Sequence, residues 1–157
     1  MEEYLKALIT SMDEKSRCLQ TLQEKTDEQT AILRAEDMDW DAFDALIDVK
    51  AELIEELDKL DDGFNAVFNR IRDELDGKRA QYKKEIARLQ EQIREVTAQS
   101  TSLMASEQRN KDLMEKQAMG TRKQLRQTKV NSRAAASYYK SMNQINTIDP
   151  QLMDKKK

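Results

Sequence analysis

The chain has 157 residues, enough for one domain, and 36% of them are charged, against roughly 25% in ordinary globular proteins. Three Gly and one Pro stand where average usage would supply about 19 of the two together; this scarcity excludes the turn-rich sandwiches, barrels and doubly wound sheets. With no His and a single Cys, the Ser-His-Asp and Cys-His constellations, His-ligated metal and thiolate zinc sites are removed as well. What remains is a highly charged, nearly unbroken helical protein, suited to binding rather than to catalysis; no enzyme activity and no cofactor is expected.

Net charge is −3 but unevenly spread. Residues 1–76 hold 22 acids and 9 bases, and residues 77–157 hold 8 acids and 18 bases. Two oppositely charged halves of a helical chain relieve their self-repulsion by folding onto each other, unless the basic half is kept free for an acidic partner.

Residues 3–34 carry apolar side chains at spacings of three and four (Leu5, Leu8, Met12, Leu19, Leu22 and Leu33), with Ile9, Cys18 and Ile32 beside the seam. This predicts a helix. Its heptad positions Lys15, Thr26 and Gln29 are polar and make the stripe imperfect. Cys18 reads as a small core hydrophobe. A lone Cys carries no mark of an oxidising compartment, residues 1–20 hold no signal-length apolar run, and no stretch reaches the ~20 apolar residues of a membrane span. A cytoplasmic location is expected.

Residues 35–41 interrupt the pattern, and Asp37 or Asp39 is placed to cap the next helix. Asp37, Asp39 and Asp41 also stand at the first, third and fifth positions of a calcium loop, but Ala42 and Asp48 replace the Gly and the bidentate Glu that such a loop needs. From Phe43 to Leu75 runs the strongest amphipathic pattern, with positions a, d and e filled, a stripe wide enough to face two partner helices. Gly63 lies inside it as a tolerated helical glycine.

At Asp76-Gly77 the charge sign switches, and Gly favours the position just past a helix end, so a turn is expected there. Residues 78–128 resume the heptad with Tyr82, Ile86, Leu89, Ile93, Val96 and Leu103, then Met104, Met114 and Leu125. The small polar segment 97–102 is a candidate weak or kinked stretch. Beyond it, Asn131 or Ser132 can cap a short helix presenting Ala135, Tyr138, Met142 and Ile145 on one side, with Tyr139 at its edge, until Asp149-Pro150 ends it.

The expected fold is therefore all-α, an antiparallel, coiled-coil-like bundle of three long helices near 3–34, 40–75 and 78–128. A short, mobile C-terminal helix follows, dividing the chain into a bundle over 1–128 and a partner-binding tail over 129–157. Adjacent carboxylate pairs such as Glu55–Glu56 and Asp61–Asp62 diverge around a helix and belong to solvated faces. Arg122, Arg126, Lys129 and Arg133 form a basic stripe that could contact phosphates, but no aromatic residue interleaves with it. The tail is the better binding element, since an amphipathic helix can dock in a partner's groove or fold back on its own bundle.

The segment from Leu33 to Leu57 resembles the FlgN family of flagellar export chaperones. Leu46, Lys50, Leu53 and Leu57 match the family's pattern after the acidic break. Glu107-Gln108-Arg109-Asn110, the stretch Ser132 to Lys140 and the Asp-Lys-Lys-Lys ending are similar to FlgN-like proteins of Gram-positive bacteria. The resemblance implies a non-enzymatic cytoplasmic chaperone that binds the helical C-terminal ends of hook-associated proteins, keeps them unassembled and delivers them to the type III export gate. It also implies partner contacts in the C-terminal segment, here near Leu125 to Ile145; within it Leu125, Val130, Ala135, Tyr138, Tyr139, Met142 and Ile145 are the expected binding surface, with Arg126 and Arg133 meeting acids on the partner. Two competing expectations are a structural coiled coil that self-associates through 82–125, giving a homo-oligomer, and a nucleic-acid binder using 122–133.

Overall fold

The computed structural model describes residues 1–117. They form three α-helices, α1 (Glu2–Arg34), α2 (Trp40–Asp76) and α3 (Lys83–Gln117), with no strand among the described residues. The all-α bundle expected from the spacing is present. Lys15–Asp61 and Gln29–Lys50 run in opposite senses along α1 and α2, which are antiparallel, whereas Asp13–Arg88 and Asp27–Arg109 run in the same sense along α1 and α3, which are parallel, as in an up-down-up bundle. α1 lies against both other helices; α2 and α3 meet through their side chains.

Each helix end follows from local chemistry. Asp39 Oδ1 accepts the backbone N–H of Ala42 at 3.0 Å and caps α2, as the acidic break predicts. Gly63 sits inside α2 with open space around the place a Cβ would occupy. Gly77 caps the C-terminus of α2 with φ −76° and ψ −12°, so the left-handed conformation that usually selects Gly there is not used. The connection after it is longer than the sequence pattern suggests. Residues 77–82 form turns, closed by Gln81 and Tyr82 N–H groups donating to the Lys78 carbonyl, and α3 starts at Lys83 rather than 78. Tyr82 nevertheless packs on the core, which is why its heptad position looked helical.

The polar segment 97–102 remains helical. Thr97, Ser100 and Thr101 donate their hydroxyls back to the carbonyls of Ile93, Val96 and Thr97 at 2.7, 2.7 and 3.0 Å, satisfying groups that would otherwise compete with the helix. The expected end of the third helix at 128 lies outside the described residues.

Two apolar clusters fill the interior. The larger joins Leu5, Leu8, Met12, Leu19 and Leu22 of α1 to Leu57, Phe64, Phe68, Ile71 and Leu75 of α2 and to Ile86, Leu89, Ile93, Val96 and Leu103 of α3. The smaller, at the far end, consists of Leu33, Phe43, Ile47 and Met114, with Ile32, Met38, Trp40 and Leu113 against it. Of the seam that a self-associating coiled coil would use, Tyr82, Ile86, Leu89, Ile93, Val96, Leu103 and Met114 pack inside this bundle, whereas Met104 is exposed and residues 118–125 lie outside the described residues.

Candidate partner-binding surface

Between the two clusters every helix contributes polar residues. Thr26, Gln29 and Thr30 lie on α1 between Leu22 and Leu33; Lys50 on α2 between Ile47 and Ile54; Glu107 and Asn110 on α3 between Leu103 and Met114. All six are buried. Lys50 Nζ donates to Gln29 Oε1 at 2.8 Å and to the Glu107 carboxylate, closing the layer across three helices. Thr30 donates to Asn110 Oδ1 at 2.6 Å, and Asn110 Nδ2 donates to the Thr26 carbonyl at 3.0 Å. The Thr26 hydroxyl lies 2.8 Å from the Leu22 carbonyl and 3.0 Å from Glu107 Oε1, one proton between two acceptors. Burial lowers the Lys50 pKa, and the Glu107 charge opposes that shift.

A second buried ion pair sits inside the larger cluster, Lys15 Nζ to Asp61 Oδ1 at 2.7 Å. Burial pushes the Asp61 carboxyl up to about 6 against the attraction of Lys15. Its other oxygen has no hydrogen-bond partner among the described residues, which leaves desolvation the dominant effect. Lys15, Thr26 and Gln29, the apparent defects in the α1 stripe, are thus the α1 members of matched polar contacts. The signal that could have found them was the presence of Lys50, Asp61, Glu107 and Asn110 at equally buried helical positions elsewhere.

Cys18 is buried, donates weakly to the Leu53 carbonyl at 3.3 Å, and has its thiol pushed up to about 11 by burial. It is a core residue, as its position in the stripe suggests.

At the smaller cluster Trp40 and Phe43 meet edge to face, centroids 5.6 Å apart at 68°. Beside them α1 and α2 leave an apolar groove of about 450 Å³, lined by Ala31, Ile32, Ala42, Ala45, Leu46 and Val49 with Glu28 at its rim. Sequence reasoning recognised the excess width of the α2 stripe without locating this surface.

Among the described residues no group of His, Cys, Asp or Glu could hold a metal ion; Asp39 is engaged as a cap. No described helix is long and apolar enough to cross a membrane. All nine residues expected to contact a partner, Leu125, Arg126, Val130, Arg133, Ala135, Tyr138, Tyr139, Met142 and Ile145, lie outside the described residues, as does the basic stripe 122–133 and the boundary between bundle and tail.

A family model, described as FlgN protein, matches residues 1–147. The chain belongs to the FlgN family. No curated protein and no solved structure matches it. The match spans all three helices and continues 30 residues past the end of α3. FlgN proteins form a family of flagellar export chaperones rather than of enzymes, and the family implies binding to flagellar hook-associated proteins.

Proposed function

We propose that this FlgN protein is a cytoplasmic chaperone that binds the helical C-terminal ends of hook-associated subunits, keeps them unassembled and delivers them to the flagellar export gate. Its contacts come from the C-terminal segment between 125 and 145, with Leu125, Val130, Ala135, Tyr138, Tyr139, Met142 and Ile145 as the apolar surface and Arg126 and Arg133 meeting acids on the client. The family match over residues 1–147 carries this reading, because it includes the tail as well as the bundle. The described bundle supports it by burying all three Phe and most of its Leu in its own interior.

An exposed amphipathic client helix needs its apolar stripe covered reversibly. A second amphipathic helix does so by burying area at about 25 cal/mol per Å², less the cost of ordering both partners. Tyr supplies such area at low entropic cost.

The test is calorimetric binding of a hook-associated C-terminal helix to the full chain and to the triple variant Tyr138→Ala, Met142→Ala, Ile145→Ala. Binding is expected to weaken by at least about tenfold, with helicity and thermal midpoint unchanged. Unchanged affinity, or a collapse of the thermal midpoint that marks these residues as core, overturns the site assignment.

A further inference from the structure

The groove beside the smaller cluster is built to receive a helix. Its α2 wall, Ala42, Ala45, Leu46 and Val49, repeats at spacings of three and four, so it is one continuous face, adjacent to the Phe43–Ile47–Lys50 face that turns inward. Ala31, Ala42 and Ala45 are small enough to let another backbone approach, while Ile32, Leu46 and Val49 supply apolar contact. Val49 is 38% exposed, and every lining residue comes from α1 or α2, none from α3.

Two observations point to this chain's own tail as the occupant. First, charge: residues 1–117 hold 18 Lys and Arg against 28 Asp and Glu, net −10, whereas residues 118–157 hold 9 against 2, net +7. Around the groove Glu24 and Glu28 on α1 and Asp41 and Asp48 on α2 are exposed, and no acid occurs from 118 to 148. Second, position: Met114, three residues before the end of α3, packs on Leu33, Phe43 and Ile47, sequence neighbours of the groove residues Ile32, Ala42 and Leu46. The 16 residues 118–133 reach about 24 Å as helix and about 53 Å extended, ample to return to it.

We propose that the apolar side of residues 134–148, centred on Tyr138, Met142 and Ile145, docks in the α1–α2 groove when no partner is bound. The docking stands without the chaperone reading. Its consequence, that groove and client compete for one face of the tail, rests on that reading.

Disulfide trapping in the full chain tests this. Ala45→Cys is paired with Tyr139→Cys at the edge of the docking face, and Thr101→Cys on an exposed turn of α3 is paired with the same Tyr139→Cys as control. Cys18 does not interfere, since its buried thiol stays protonated at pH 8. The 45–139 pair is expected to close within one chain at least tenfold faster than the control, and adding Val49→Arg, which repels a basic tail from an exposed position, should remove that advantage. Equal rates for the two pairs overturn the docking. Disulfides between chains overturn it in favour of a second copy in the groove. Adding a hook-associated C-terminal helix should slow the 45–139 closure; fast closure unaffected by that helix leaves the docking in place and removes the tail as the client site.

Discussion

Lys50 of α2 donates to Gln29 of α1 and to Glu107 of α3, so one side chain ties all three helices at the layer that separates the two apolar clusters. Only one oxygen of Glu107 is engaged; the other has no partner among the described residues. A buried pair of this kind offsets its desolvation incompletely, yet breaking it strands a charge. Glu107→Gln is expected to cost about 3–5 kcal/mol. The double variant Lys50→Met, Glu107→Met should recover most of that loss by replacing charge with packing. Urea unfolding of Lys50→Met, Glu107→Met and the double variant measures the coupling directly, and a double variant as unstable as those two singles summed would reject it.

Asp61 makes stability depend on pH in the direction opposite to most carboxylates. Its folded pKa is raised from 3.8 to about 6, chiefly by burial, so the folded state holds this proton more tightly than the unfolded chain. The contribution is present in full below about pH 4 and is lost as pH rises through 6. Two units correspond to about 3 kcal/mol. Other acids titrate over the same range, so the quantity to follow is the wild-type unfolding free energy minus that of Asp61→Asn. It should fall between pH 4 and pH 7; a flat or rising difference contradicts the assignment.

Two glycines separate helix propensity from backbone need. Gly63 is exposed in the interior of α2 with nothing near the place of a Cβ, so Gly63→Ala should stabilise by about 0.5–1 kcal/mol. Gly77 has negative φ, and a Cβ there would meet the Glu74 carbonyl oxygen at 3.6 Å, an ordinary contact. Gly77→Ala is therefore expected to fold normally, within about 0.5 kcal/mol of wild type. Thermal unfolding of both variants checks the pair, and a strongly destabilised Gly77→Ala would show that the turn needs a conformation other than the one described.

The helices were legible because Leu5, Leu8 and Met12, or Phe64, Phe68 and Ile71, recur at a period that only a helix places on one side. The polar layer was not legible in the same way. Thr26 lies 81 residues from Glu107, and Lys15 lies 46 from Asp61. A pattern read along one helix registers each as a lapse, since its partner belongs to another helix. Tyr82 misled in the opposite sense, since a turn residue that packs on the core satisfies the heptad without being helical. The groove was hidden because Leu46 counts equally well as a core position; only the positions of α1 and α3 determine which part of the wide α2 stripe stays uncovered. The fold thus follows from local periodicity, whereas the candidate site depends on which faces the three helices leave open.

Met114 offers a test of how strongly the end cluster depends on α3. It is fully buried, and its partners Leu33, Phe43 and Ile47 come from the other two helices. The polar layer separates this small cluster from the main core, so few neighbouring apolar groups can collapse into a cavity there. Met114→Ala is expected to cost about 2–5 kcal/mol. Trp40, the single Trp of the chain, packs on the same cluster and edge to face against Phe43, so the loosening should appear as a red shift of its emission below the global unfolding transition. Loss of stability without that shift would mean that the cavity is absorbed on the α3 side and that the groove walls on α1 and α2 hold their positions independently of α3.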